Sequence, residues 1–417
     1  MGTVVSASLI DGAGKECPFP DVSAALRGRD DGLIELHYAY APDLIPATWS
    51  GEGMWRWRGL LPLADEPIIY PLAVGGTPLL SSPSLRAVSG MRRLWLKDET
   101  RSPTGSNKDR ATALVLEWAL RHGMRTVTAA STGNVAVSLA VGAAAAGMHA
   151  LIFVPATVNP DKLQLMLLAG ATVFAVEEGY DAAFRLSRQA ACAYGWCDRN
   201  TGVNPLTLEA KKTVAFEIWE QLERTMPDAV MVPVGDGATL SAMHKGFAEL
   251  VACGVAERVP RIIGVQAEGC QPLKCAWEGR LPRLGRGTIA DGIAVTMPSN
   301  AATAVRDVRR SGGGFVAVPD DAILRAIRTL AAHSGILAEP AAAASYAGLD
   351  PALETGLIER GERVVVLITG SGLKTPRYLK PAGGAHHVRG SLDEVERVLG
   401  GRTEIEGNRS DPACTIH

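Results

Sequence analysis

Residues 125–154, RTVTAASTGNVAVSLAVGAAAAGMHALIFV, decide how this chain folds. A short run rich in β-branched residues (125–129) gives way to a Ser-Thr-Gly-Asn turn and an Ala-rich stretch that ends at Gly147. A second apolar run, 149–154, follows at once. Strand, crossover helix and strand in so few residues make a βαβ unit, whose two strands lie parallel. The stretch 135–156 is also the most membrane-like part of the chain, but Gly147 and Pro155 interrupt it. Helix, turn and buried strand therefore describe it better than a membrane span.

The alternation continues on both sides. Residues 107–122 put Ala111, Leu114, Val115, Trp118 and Ala119 on one helical face, with Gly123 placed to end the helix. Beyond the opening unit, the pattern predicts strands at 172–176, 229–234, 261–267 and 363–368. It predicts helices at 160–168, 181–194, 241–253, 321–333 and 340–349. The expected fold class is α/β, with mostly parallel sheets flanked by helices. Residues 1–84, with Trp49, Trp55 and Trp57 among Pro and Gly, read as an arm packed on the body. Residues 381–417 read as a tail with one short helix at 392–399.

Composition narrows the function. The 417 residues carry 42 Lys+Arg against 44 Asp+Glu, a balance that offers no electrostatic footprint for nucleic acid or a membrane surface. Seven Cys include no CxxC pair, and the eight His do not join them at metal-ligand spacing, so no metal is expected and the thiols read as buried and reduced. Residues 1–20 show no secretory pattern, and the expected location is cytoplasmic. The 45 Gly, with no triplet period, point to tight turns and close backbone approaches.

Four loops hold the chemistry, each between a strand and a helix or at a strand end, where open α/β sheets gather ligands. Ser102-Pro-Thr-Gly-Ser-Asn-Lys-Asp-Arg110 puts Lys108 near a helix start, where the dipole disfavours a cation and favours the neutral amine that forms Schiff bases; an ordinary surface lysine is the competing reading. Ala130-Ser-Thr-Gly-Asn134 is either an anion nest of backbone N–H groups or a simple helix cap. Val234-Gly-Asp-Gly-Ala-Thr239 is a Gly-rich phosphate cradle, and it is neither a GxGxxG nor a GxxxxGK[ST]. Thr369-Gly-Ser-Gly372 offers hydroxyls and open backbone. Together they ask for a ligand with a phosphate and an amine-reactive carbonyl, beside a carboxylate-bearing substrate. Pyridoxal 5'-phosphate meets that description.

These residues also carry a resemblance. Lys97-Asp-Glu-Thr100 followed by Pro103-Thr-Gly-Ser-Asn-Lys-Asp-Arg110 resembles the Schiff-base segment of threonine synthases, which are fold-type II pyridoxal-phosphate enzymes of the tryptophan synthase β-like superfamily. The likeness runs in order through Gly75-Gly-Thr-Pro-Leu79, Ala130–Asn134, Val203-Asn-Pro205, Lys212-Thr213, Pro233-Val-Gly235 and Thr369–Lys374, over about residues 30–380. Thr288-Ile-Ala-Asp-Gly-Ile-Ala-Val295 instead looks like the serine/threonine dehydratases.

The resemblance implies two open, twisted sheets with the cofactor between them. It implies a large domain (85–126 plus 201–380), a small domain (127–200) and a homodimer. Lys108 would hold the cofactor as a Schiff base and shuttle the substrate's α-proton. Asn134 would bond the ring oxygen, and Gly235, Asp236, Gly237, Ala238 and Thr239 would bind the cofactor phosphate. Thr369 would face the ring nitrogen, and the Ser131, Thr132, Gly133 and Asn134 backbone would bind the carboxylate of a small amino acid.

The departures fall at the substrate end. Asn107 replaces the family's usual Phe, and Asp236 replaces an Asn, putting an anion near a dianion. The family grips a substrate phosphate with a Thr, an Asn-Ser pair and an Arg; here those positions are Val135, Thr201-Gly202 and Thr207. A charge-assisted contact of that kind contributes roughly 1.5–3 kcal/mol, so phosphohomoserine is disfavoured unless Lys211 or Lys212 compensates. The leading expectation is elimination or replacement at the β- or γ-carbon of another small amino acid. Threonine synthase itself, a serine/threonine ammonia-lyase and a non-catalytic pyridoxal-binding protein are the alternatives.

Overall fold

In the computed structural model, Thr126–Ala130 and His149–Pro155 pair in parallel, Val127 opposite Ala150 and Ala129 opposite Ile152. The helix Asn134–Ala145 forms the crossover. The structure describes residues 4–11, 15–19, 33–47, 53–63, 66–281, 287–381 and 383–399. The chain divides into two units, Met1–Leu379 and Lys380–His417.

The first unit holds three sheets. In the four-stranded one the order is Thr172–Val176, His149–Pro155, Thr126–Ala130, Cys197–Asp198, all parallel. In the six-stranded one it is Gly314–Val318, Arg261–Ala267, Ala229–Pro233, Arg363–Ile368, Arg93–Asp98, Leu79–Leu80. Five of these strands are parallel, and the short edge strand Leu79–Leu80 runs antiparallel. Two apolar clusters cover this larger sheet, one including Val230, Val232 and Phe247, the other Met231, Val364 and Ile368. Successive strand residues thus feed opposite layers, which is why these strands read as unbroken apolar runs.

Several elements escaped the sequence. Arg93–Asp98 is a central strand whose Lys97 and Asp98 are fully buried, so polar letters hid it. Helix Leu206–Gln221 buries residues on every face and therefore shows no amphipathic period. The stretch 340–349, expected as one helix, is broken at Gly348 into Pro340–Ala347 and Leu349–Glu354. A Cβ at Gly348 would stand 2.6 Å from the Val265 side chain. Within the N-terminal segment, expected as an arm on the body and given no strands, a three-stranded antiparallel sheet forms in the order Glu16–Phe19, Val4–Ile10, Leu33–Tyr38. Tyr38 donates to Glu209 at 2.7 Å, and Lys245 donates to the Leu36 carbonyl. Trp55 and Trp57 are buried, and Trp57 packs on Phe216 at 5.1 Å; Trp49 lies outside the described residues. Cys17 and Cys192 are exposed, contrary to expectation, whereas Cys197, Cys253, Cys270 and Cys275 are buried; all six are free.

A buried ionic cluster fixes the base of the helix Lys108–Arg121. Arg110 bonds Glu99 at 2.7 Å and Glu217 at 2.6 Å, and Lys97 bonds Glu217 at 2.6 Å, all with no exposed side-chain surface. Thr77 and Thr213 complete the donors and acceptors around the guanidinium. Strand Arg93–Asp98, helix Lys108–Arg121 and helix Leu206–Gln221 are thereby tied within two residues of Lys108. In the second unit, helix Leu392–Leu399 has the predicted bounds and buries none of its residues. Among the described residues no helix is long and apolar enough to cross a membrane.

Candidate active site

Lys108 is the first residue of its helix, and its amine donates to the Asn107 side-chain oxygen at 3.0 Å. Burial pushes its pKa down, and Arg199 acts in the same direction, against Asp236 and Glu339. The direction is the one expected from the helix start, but its leading cause is desolvation. A lysine poised toward the neutral amine is the form that attacks a carbonyl.

The loop before Lys108 is laced to two others. Ser106 bridges Gly370, and Asn107 donates its backbone N–H to the Thr369 carbonyl at 3.0 Å. Lys374 donates to the Thr104 and Gly105 carbonyls at 2.7 and 2.8 Å. Ser371 bridges Ala338, and the Glu339 N–H donates to the Gly370 carbonyl at 3.0 Å. Thr369 is buried among these contacts.

From the smaller sheet, the Ser131–Asn134 turn leads into helix Asn134–Ala145. The cap residue there is Gly133, so no side chain caps the first turn, and the first N–H groups of a helix suit an anion. Ser131 accepts from the Gly133 N–H at 3.2 Å, while Ser131, Thr132, Gly133 and Val135 are all partly accessible. Asn134 is buried and donates its amide to Glu339 at 2.6 Å.

Glu339 is the residue the sequence reading missed. It is buried, and a Cβ on Gly370 would lie 2.3 Å from its carboxylate. The available signal was a single acid opening an Ala-rich helix, at Glu339-Pro340. Glu339→Ala removes the acceptor of the Asn134 amide; it is expected to weaken retention of pyridoxal phosphate about tenfold, measured by dialysis of the holoenzyme. Unchanged retention would show that the Asn134–Glu339 bond plays no part in holding the cofactor.

The third loop starts helix Ala238–Ala252. Gly237 has φ 94°, and a Cβ there would meet the Asn300 carbonyl at 2.9 Å, so only glycine fits. Gly235 packs against the 291–293 turn, which belongs to the dehydratase-like stretch. Asp236 does not turn away: its carboxylate accepts from the Ala238 N–H at 3.1 Å and acts on the charges of Lys108, Arg199 and Lys211. Thr239 is buried in the first turn.

The substrate-end positions are divided. The Thr207 hydroxyl donates to the Asn204 carbonyl at 2.8 Å and borders a small cavity near Leu33, Ile34 and Glu35. Lys212 is ion-paired to Glu209 and to Glu249 (2.8 Å), with its ammonium 4.2 Å from the Tyr38 ring centroid. Lys211 is the one that shares its surroundings with Lys108. A cavity of about 370 Å³ opens beside Thr132, bordered by Asn159, Thr288, Asp291 and Arg377. Lys162 and Asp291 bridge at 2.7 Å at its edge.

Among the described residues, four buried polar atoms in these loops and helix starts lack partners: Asn107 Nδ2, Asn134 Oδ1, Ser241 Oγ and Glu339 Oε2. Buried polar atoms without partners are rare in folded chains, and a polar ligand accounts for them. Unpartnered donors and acceptors around a desolvated lysine fit pyridoxal phosphate. Residues 70–370 match the family described as pyridoxal-phosphate dependent enzyme. The chain belongs to that family.

The enzyme is 39% identical to the threonine synthase of Methanocaldococcus jannaschii, over 83% of this chain and 87% of the relative. It is 36% identical to that of Mycobacterium bovis, over 80% and 91%. Among solved structures, a threonine deaminase from T.th. aligns with a TM-score of 0.58 and 26% identity, over 71% and 92%. An L-serine ammonia-lyase from Rhizomucor miehei gives 0.61 at 24% identity, over 74% and 98%, a likeness of fold. The enzyme is a threonine-synthase-like member of fold type II, with the lyase/synthase chemistry of that group.

Proposed function

We propose that this enzyme carries out pyridoxal-phosphate-dependent elimination or replacement on a small amino acid other than phosphohomoserine. The observation that carries the reading is the contrast between the two ends of the site. Beside Lys108 the Asn107 amide and, in the neighbouring loops, Asn134 and Glu339 keep buried polar atoms without partners among the described residues, whereas the Thr207 hydroxyl is taken up by the Asn204 carbonyl ahead of its helix and Lys212 is held by Glu209 and Glu249.

In this reading the bound cofactor supplies an electron sink, and the chain's residues choose the bond that breaks. Lys108 Nζ carries the cofactor and moves the substrate's α-proton. Asn134, with its amide fixed by Glu339, would bond the cofactor's ring oxygen. The backbone of Ser131–Asn134 takes the substrate carboxylate, and Gly235–Thr239 the cofactor phosphate. Thr369 would face the ring nitrogen, where a neutral hydroxyl would disfavour full protonation. Residues 85–126 with 201–380, and 127–200, are proposed as the two domains that bring these groups together. The arm is assigned to 1–84 and the tail to 381–417.

Steady-state assays with O-phospho-L-homoserine test the substrate assignment. Loss of one charge-assisted phosphate contact corresponds to roughly 10- to 100-fold in kcat/KM. Threonine and phosphate release is therefore expected to be slower by at least that factor than turnover of the preferred amino acid. Efficient threonine formation would instead make the enzyme a threonine synthase. Release of 2-oxobutyrate or pyruvate from threonine or serine would place it with the ammonia-lyases.

A further inference from the structure

Asn107 stands at the cap position of the helix Lys108–Arg121. An Asn there ordinarily turns its side-chain oxygen to the N–H groups of the first turn. This one makes no such bond. Its oxygen accepts from the Lys108 amine at 3.0 Å instead, although side chains of adjacent residues on a helix do not ordinarily face each other. The backbone on either side is fixed: the Asn107 N–H donates to the Thr369 carbonyl at 3.0 Å, and the Lys108 N–H donates to the Ser106 hydroxyl at 3.3 Å. Asn107 is only 1% exposed, and its amide nitrogen has no partner among the described residues. A buried donor is rarely left unpaired, and an acceptor on a bound ligand accounts for it. One amide thus holds the amine by its oxygen and keeps its nitrogen for a ligand. The Phe usual at this position in the family could do neither.

A lysine that moves an α-proton must be neutral when it attacks, with its lone pair toward the substrate carbon. The C–H bond then breaks, its electron pair stays with the substrate and the electron sink, and the amine becomes an ammonium. Burial favours the neutral form at the start. The neighbouring charges of Arg199, Lys211 and Lys374 act in the same direction, against Asp236, Glu339 and Glu99. An acceptor on one N–H of the amine turns the lone pair away from Asn107. That bond also strengthens as the amine gains its proton, because charge-assisted hydrogen bonds are roughly twice as strong as neutral ones. An interaction that strengthens along the reaction accelerates it.

We propose that Asn107 is a positioning residue for the proton-moving amine: its side-chain oxygen orients neutral Lys108 and steadies the ammonium formed when the α-proton is taken. This rests on the reading of Lys108 as the cofactor lysine and adds the group that directs it.

Asn107→Leu removes the acceptor at similar volume, and Asn107→Asp replaces it with an anion. In the full chain freed of cofactor, trace acetylation across a pH series, followed by peptide mapping, gives the midpoint at which the Lys108 amine loses its proton. An acceptor favours the ammonium, so Asn107→Leu is expected to lower that midpoint by about one pH unit and Asn107→Asp to raise it. In the holoenzyme, exchange of the α-proton of L-serine, L-threonine and O-phospho-L-homoserine is followed by NMR in D2O. For the amino acid exchanged fastest by the wild type, Asn107→Leu is expected to be roughly tenfold slower at its plateau pH, with half-saturation little changed. Asn107→Asp is expected to need a higher pH to reach its plateau. Equal labelling midpoints in all three proteins, or an Asn107→Leu enzyme that exchanges as fast as the wild type, would overturn the role of Asn107 and leave Lys108 as the cofactor lysine. Borohydride reduction that fixes the cofactor at another lysine, or a wild type that exchanges none of the three amino acids, would overturn both.

Discussion

Lys108→Ala is expected to abolish the covalent attachment of pyridoxal phosphate and to lower turnover by about 10³-fold or more. The amine is already desolvated in this structure, held by the Asn107 side-chain oxygen at the first position of its helix. Three other lysines do not take over easily. Lys97 and Lys212 are consumed by ion pairs, and Lys374 is bonded to the Thr104 and Gly105 carbonyls. Borohydride reduction of the holoenzyme followed by peptide mapping checks this directly, because it freezes the attachment at one lysine. Labelling of wild-type enzyme at any residue but Lys108, or a Lys108→Ala protein that still reduces to a stable adduct, would falsify the assignment. Lys108→Arg keeps the charge at the helix start without a usable nucleophile; it is expected to be as inactive as the alanine variant, which separates loss of chemistry from loss of fold.

The second large effect is on stability. Arg110→Met leaves Glu99 and Glu217 buried, with Lys97 as the one remaining cation, and removing one partner of a buried pair costs about 3–5 kcal/mol. Urea unfolding of the holoenzyme should show a fall of that order. Arg110→Met combined with Glu217→Gln should recover part of it, because the second change removes one orphaned charge. An unchanged midpoint in the single variant would mean that the cluster is solvated in solution. The acid limb gives an independent reading. Burial pushes Glu217 up, but Arg110 and Lys97 outweigh it and hold the carboxyl well below its ordinary value of 4.5. Its stabilisation is therefore full above the ordinary carboxylate range and is lost as the pH falls toward the lowered folded value. Arg110→Met should flatten that part of the stability profile.

These two residues stand two positions apart in one motif and do different work. Arg110 is tied to Glu217 at the packed base of the helix, and the Lys108 amine lies against the Asn107 side chain. A helix turns about 100° per residue, so neighbours in a short motif part company once the helix forms.

Where apolar residues repeat with a clear period and Gly or Pro ends the element, the strands and helices were legible. The bounds of Arg363–Ile368, Arg261–Ala267 and Pro160–Leu168 follow from such signals. Strand Arg93–Asp98 was not legible, because Lys97 and Asp98 are buried through partners distant in sequence, such as Glu217. Helix Leu206–Gln221 was hidden for the opposite reason: buried on every face, it has no polar stripe to betray its period.

The four chemistry-bearing loops and the cofactor they ask for were legible in the sequence alone, since turn glycines, a lysine at a helix start and hydroxyl clusters are local properties; the altered substrate end was legible only against the pattern of the family the chain resembles. Only the tertiary structure decided which charges are compensated. It occupied Lys212 with Glu209 and Glu249, left Arg199 and Lys211 buried with no ion pair among the described residues, and set Glu339 against Asn134. An ion pair depends on a distance between residues far apart in the chain, and linear order carries no record of that distance.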